Sequence, residues 1–160
     1  MAVTPPTWSD VDYDLATARE LTAKAAEKDA ALTGLAPAAR EDRELAIGKH
    51  LHDAVSAVER ALERLVQDID GDLPRGRSFH RDLLDRAARA MPGRRPAILT
   101  AETRRDLGLL VGFRHAFRHS YGGFDDALAR PNVAVAAAAV PRAVAEIEAL
   151  GAALGIRPQD

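Results

Sequence analysis

Residues 38–69 carry the strongest constraint on the fold. Across them Leu45, Gly48, Leu51, Val55, Val58, Leu62, Leu65 and Ile69 recur at three- and four-residue spacing. A helix puts residues so spaced on one face, whereas a strand needs alternation at period two. Glu59, Arg60, Glu63 and Arg64 mark the solvated side of this helix, with charges of both signs interspersed. Asp70, Gly71 and Pro74 end it. So long an apolar stripe needs other helices to cover it, and the composition says how they pack. Hydrophobic residues make up 47% of the chain, but 33 of the residues are alanine and aromatics are only 4%. Alanine favours helix and fills little volume, so the core consists of helices in close contact.

The remaining segments agree. Leu15, Ala18, Leu21 and Ala25 predict a helix over 9–32, with Ser9 as its cap and Asp10 and Asp12 in the first turn. Gly34 and Pro37 break the chain after it. A short helix is expected over 79–91, and Thr100 caps a further one that runs to Tyr121 and stops at Gly122 and Gly123. The last, over 132–154, is expected to kink or break at Pro141. The fold class is all-α, a bundle of four to five helices. At 160 residues the chain is a single domain, 1–160, with its core at about 9–154.

Several function classes fall away. Without cysteine there is no disulfide framework, thiol nucleophile or cysteine metal site. No run approaches the 18 apolar residues of a membrane span, and no signal peptide is visible, so a soluble cytoplasmic protein with no membrane partner is expected. The formal charge of −2 argues against a nucleic-acid partner until the chain is divided. Residues 74–119 hold eleven arginines and four acids, a charge of +7, against −9 for the rest. A basic half-domain of this kind is either a solvated arginine surface or a site for a phosphate-bearing partner.

That segment leads into Phe113-Arg114-His115-Ala116-Phe117-Arg118-His119-Ser120-Tyr121, which runs two residues past its end. At about 100° per residue, Arg114, His115, Arg118, His119 and Tyr121 share one half of the helix cylinder. Leu109, Leu110, Phe113, Ala116 and Phe117 take the core face, so the polar groups point away from their own core. Leu107 and Val111, with Gly108 and Gly112 beside them, form an apolar patch on the polar side that suits a second subunit. A homodimer with its seam along this helix is expected.

The polar set fits ribonuclease chemistry without a metal. That reaction needs a base for the ribose 2′-hydroxyl, an acid for the leaving 5′-oxygen and a cation for the phosphorane. Histidine serves either proton role near neutral pH, and arginine holds phosphate oxygens. His115 and His119 also have the i,i+4 spacing of zinc ligands, but no cysteine is available and a third ligand would have to come from elsewhere, so no metal and no cofactor are expected. His50 and His52 point apart on their helix, and His80 reads as a surface or cap residue. Arg81, Arg104 and Arg105 of the basic segment are candidate RNA contacts. Trp8 and Tyr13 read as core or docking residues.

Arg114, His119 and Tyr121 resemble the R-x4-H-x-Y signature of HepT-like toxins in the HEPN superfamily of helical ribonucleases. The segments His50-Leu51-His52-Asp53, 70–76 and 79–84 are similar to that family as well, and the likeness spans about 15–150. The resemblance implies a homodimeric bundle with a composite RNA-cleaving cleft at its seam. Arg114 and His119 would be catalytic there, with His115, Arg118 and Tyr121 supporting. It also implies an antitoxin partner, a minimal nucleotidyltransferase (MNT), that transfers AMP to Tyr121. AMP would add bulk and negative charge beside Arg114 and Arg118 and so repel an RNA phosphate. The alternative is a catalytically silent HEPN module that binds a nucleotidyltransferase or RNA without cutting it.

Overall fold

The long helix is the axis of the molecule, and each of the other helices rests on it. The computed structural model describes residues 6–119 and 126–156. Five helices occur in these residues: α1 (Pro6–Ala30), α2 (Pro37–Asp70), α3 (Phe79–Ala87), α4 (Ala101–His119) and α5 (Asp126–Ala153). The only β feature among them is an isolated bridge between Met91 and Arg95. The chain therefore folds as an all-α bundle. None of the described helices is long and apolar enough to cross a membrane.

α1 and α2 pack most extensively, and small side chains permit it. Ala18 and Ala25 of α1 and Ala54, Ala57 and Ala61 of α2 are fully buried. Larger side chains of α2, α4 and α5 fill the core, including Leu51, Leu62, Leu65, Leu110 and Ile147. Each stabilises the fold by about 1.5–3 kcal/mol relative to exposure. α1 is also tied to α2 by a buried carboxylate, since Asp14 accepts from Arg60 Nε at 3.0 Å and Arg64 Nε at 3.1 Å.

Several expectations change. α1 begins at Pro6, so Ser9 lies inside the first turns and does not cap it. Proline is tolerated at a helix start because its missing N–H would be unpaired there anyway. α3 ends at Ala87, not at 91, because the following segment folds back around Arg95. That guanidinium donates to the carbonyls of Arg86, Arg89 and Pro96. α5 runs unbroken through Pro131 and Pro141. Pro141 and Ala137, whose carbonyl loses its partner, both lie on the exposed side, where water can satisfy the oxygen. Val140, Ala143, Val144 and Ile147 on the other side are fully buried and hold the helix in place.

The largest correction concerns the rotation of α4. Among its residues 101–115, those buried are Thr103, Leu107, Leu110, Phe113 and Arg114. Leu109, expected in the core, is 56% exposed, and Arg114, expected to face outward, points inward. Leu107 likewise belongs to this subunit's own core and not to a seam. Polar bonds set the rotation. Thr103 Oγ1 donates to Glu146 of α5 at 2.8 Å and accepts from Arg142 Nε at 2.8 Å. Thr100 keeps its predicted capping role, its hydroxyl accepting from the Thr103 N–H at 3.3 Å.

Candidate active site

α4 and the start of α3 line one cleft of about 310 Å³. α2 stands behind the cleft and reaches it through bonds to two lining residues, His80 and Arg114. Glu59 is only 5% exposed, a burial the sequence did not lead us to expect. It lies four residues after Val55 and three before Leu62, which is within the apolar stripe and not opposite it. A carboxylate so placed needs a charged partner, because burying it alone is costly. Arg114 of α4 is that partner: its Nη1 ion-pairs with Glu59 Oε2 and donates to Ser56 Oγ at 3.2 Å. The Ser56 hydroxyl spends its own proton on the His52 carbonyl at 2.8 Å, which leaves its lone pairs for Arg114.

α3 closes the arrangement with His80. Its Nδ1 lies 2.7 Å from Glu59 Oε1. An ionised carboxylate only accepts, so Nδ1 carries the proton and Nε2 of the neutral ring holds the lone pair. Arg114 Nη2 lies 3.0 Å from Nδ1 and 3.1 Å from Nε2. A nitrogen equidistant from both ring nitrogens stands over the ring face and does not point at either lone pair. Phe79 meets the same ring edge-on, with centroids 5.4 Å apart at 81°. His80 is therefore held by Glu59, Arg114 and Phe79, yet its side chain remains 46% exposed.

The walls are cationic. Arg77 and Arg81 flank His80, and His115 follows Arg114 on the far side, with Val111 and Gly112 between. Arg77, Arg81 and His115 are all exposed. Glu59 compensates the charge of Arg114 from behind, and Arg77 and Arg81 keep the rim positive. A phosphodiester entering the cleft would meet arginine on two sides and a histidine whose ring is already oriented.

The structure thus unites Arg114, His115 and Arg81 of the predicted residues. Arg104 and Arg105 are elsewhere: Arg104 Nε bonds Asp85 at 2.7 Å, and Arg105 pairs with Asp106 at 3.2 Å. Arg118 and His119 occupy the last turn of α4, but their side chains, and Tyr121 entirely, lie outside the described residues. Ser56, Glu59 and His80 were missed. His52 bonds its neighbour Asp53 at 3.1 Å.

A family model described as "HepT-like protein" matches residues 46–154. No curated protein and no solved structure matches the chain. The matched span runs from within α2 to the end of α5 and contains every residue that lines the cleft, with Glu59 behind it. It covers more than half of the sequence, and the chain belongs to the HepT-like protein family.

Proposed function

We propose that the protein is a metal-independent endoribonuclease toxin of a HEPN/MNT-type toxin–antitoxin pair, cutting RNA, with tRNA as the substrate class that family analogy favours. The observation that carries this reading is the cationic cleft in which a buried arginine meets histidines from two helices. Arg114 presents Nη2 at the cleft wall and stabilises charge on the phosphorane. His119, one turn beyond His115, serves as general acid/base. His115, Arg118 and Tyr121 assist, and Arg81 contacts the RNA backbone, with Arg104 and Arg105 as outlying contacts. The active species is a homodimer joined along α4. There Leu109 is exposed, and Gly112 has open space where a side chain would stand. AMP transfer to Tyr121 by the antitoxin inhibits the toxin.

One observation favours the silent alternative. The Arg114 side chain is only 10% exposed, and its Nη1 is committed to Ser56 and Glu59. A guanidinium so placed can be structural, which would leave a module that binds RNA or a nucleotidyltransferase. Incubating the purified protein with total RNA in EDTA separates the two. The toxin reading expects cleavage by the wild type and none by His119→Ala or Arg114→Ala, with all three folded. Equal cleavage by wild type and His119→Ala, or none by the wild type, would defeat it.

A further inference from the structure

We infer that His80 is a catalytic residue of the cleft, the general base that takes the ribose 2′-hydroxyl proton, and that Glu59 positions it. This rests on the ribonuclease reading above and deepens it. Geometry carries the assignment. Glu59 is buried and accepts from Nδ1 at 2.7 Å, which fixes the tautomer and leaves Nε2 as the acceptor. The ring is held on other sides by Phe79 and Arg114. A carboxylate behind an oriented imidazole is the arrangement that makes a positioned base, because it stabilises the imidazolium once a proton has been taken. A histidine serving only to pack would not need to stand half-exposed at the mouth of a cleft lined by Arg77, Arg81 and His115.

The step balances. Nε2 of His80 removes the 2′-hydroxyl proton as the 2′-oxygen bonds to phosphorus. The bond from phosphorus to the 5′-oxygen breaks, and that oxygen leaves with a proton from the second group, His119. The products are a 2′,3′-cyclic phosphate and a 5′-hydroxyl, with no water consumed and no oxidant or metal required. Arg114 stands over the His80 ring and beside the reacting phosphate, where it offsets the negative charge that builds up. Proton transfer then has two separate agents, His80 from α3 and His119 from α4.

The test is steady-state cleavage in EDTA of a labelled mixed-sequence oligoribonucleotide, prepared with a normal or a 5′-thio leaving group at the cut linkage. A thiolate leaves without a proton, so it rescues loss of the acid but not loss of the base. For His80→Ala and His80→Gln the expected result is a fall in kcat of roughly 10²–10⁴-fold, with KM little changed. The defect persists on the thio substrate, and added imidazole partly restores His80→Ala. His119→Ala is rescued by the thio substrate. His80→Gln guards against a folding defect, since the amide keeps a donor for Glu59 but moves no proton. Wild-type rates in both His80 variants overturn the inference while leaving the ribonuclease reading intact. So do rescue by the thio substrate or a loss confined to KM. An inactive wild type overturns both.

Discussion

Removing the Asp70 carboxylate should weaken the fold more than any surface substitution. Asp70 closes α2, and Arg95 lies in the segment between α3 and α4; both side chains are fully buried. The pair is bidentate, Nε to Oδ1 and Nη2 to Oδ2, each at 2.7 Å. Arg95 places its other three N–H bonds on the carbonyls of Arg86, Arg89 and Pro96 at 2.9–3.2 Å, so all five of its donors are satisfied. Asp70→Ala leaves two of those donors and a full positive charge without an acceptor in the interior. Breaking a buried pair from one side costs about 3–5 kcal/mol, against a domain stability of about 5–15 kcal/mol. For a chain of this length that is a fall in Tm of roughly 6–20 °C. Asp70→Ala combined with Arg95→Met removes the orphan charge. It should recover part of the loss but not all of it, because the three carbonyls also lose their donor. Urea and thermal unfolding followed by circular dichroism would measure each variant. If Asp70→Ala melts within about 0.5 kcal/mol of the wild type, as an ordinary surface change does, the pair is not the clamp that its geometry indicates.

Two further outcomes follow from the same structure. Glu59→Ala strands Arg114 and should cost about 3–5 kcal/mol, whereas Glu59→Gln, which keeps an acceptor in place, should cost less; urea midpoints that coincide for the two would contradict the ion pair. His50 is held below its ordinary value of 6.5, chiefly by burial and then by the cations Lys28 and Lys24. Protonation therefore favours the unfolded chain, so stability is highest above about pH 6.5 and declines as the pH falls through and below that value. Denaturation midpoints for wild type and His50→Gln between pH 5 and 8 would show it. A slope that His50→Gln leaves unchanged assigns the effect to another group.

What was legible in the sequence divides along a physical line. The axis of the bundle was legible because α2 repeats its apolar spacing over many turns and stops at Gly71, whose φ of 91° suits glycine. The rotation of α4 was not. Leu107, Leu109 and Leu110 are alike in kind, so hydrophobic periodicity alone cannot choose among them, and the choice is made by polar residues. Thr103 and Arg114 are buried because Glu146, Arg142, Ser56 and Glu59 reach them from other helices. A hydropathy pattern counts such residues as outward-facing, since it cannot see partners that lie 39 to 58 positions away. The same blindness hid half of the cleft. Arg114, His115 and Arg81 could be proposed from residue type and local charge, but His80 gains meaning only through Glu59, 21 positions earlier. Glu59 did leave a trace. It interrupts the stripe between Val55 and Leu62, and a charge in an apolar stripe requires a buried partner of opposite sign. In a chain whose nearby cations include a cluster around Arg114, that requirement links α2 to the motif helix, and it places a carboxylate where an imidazole needs one.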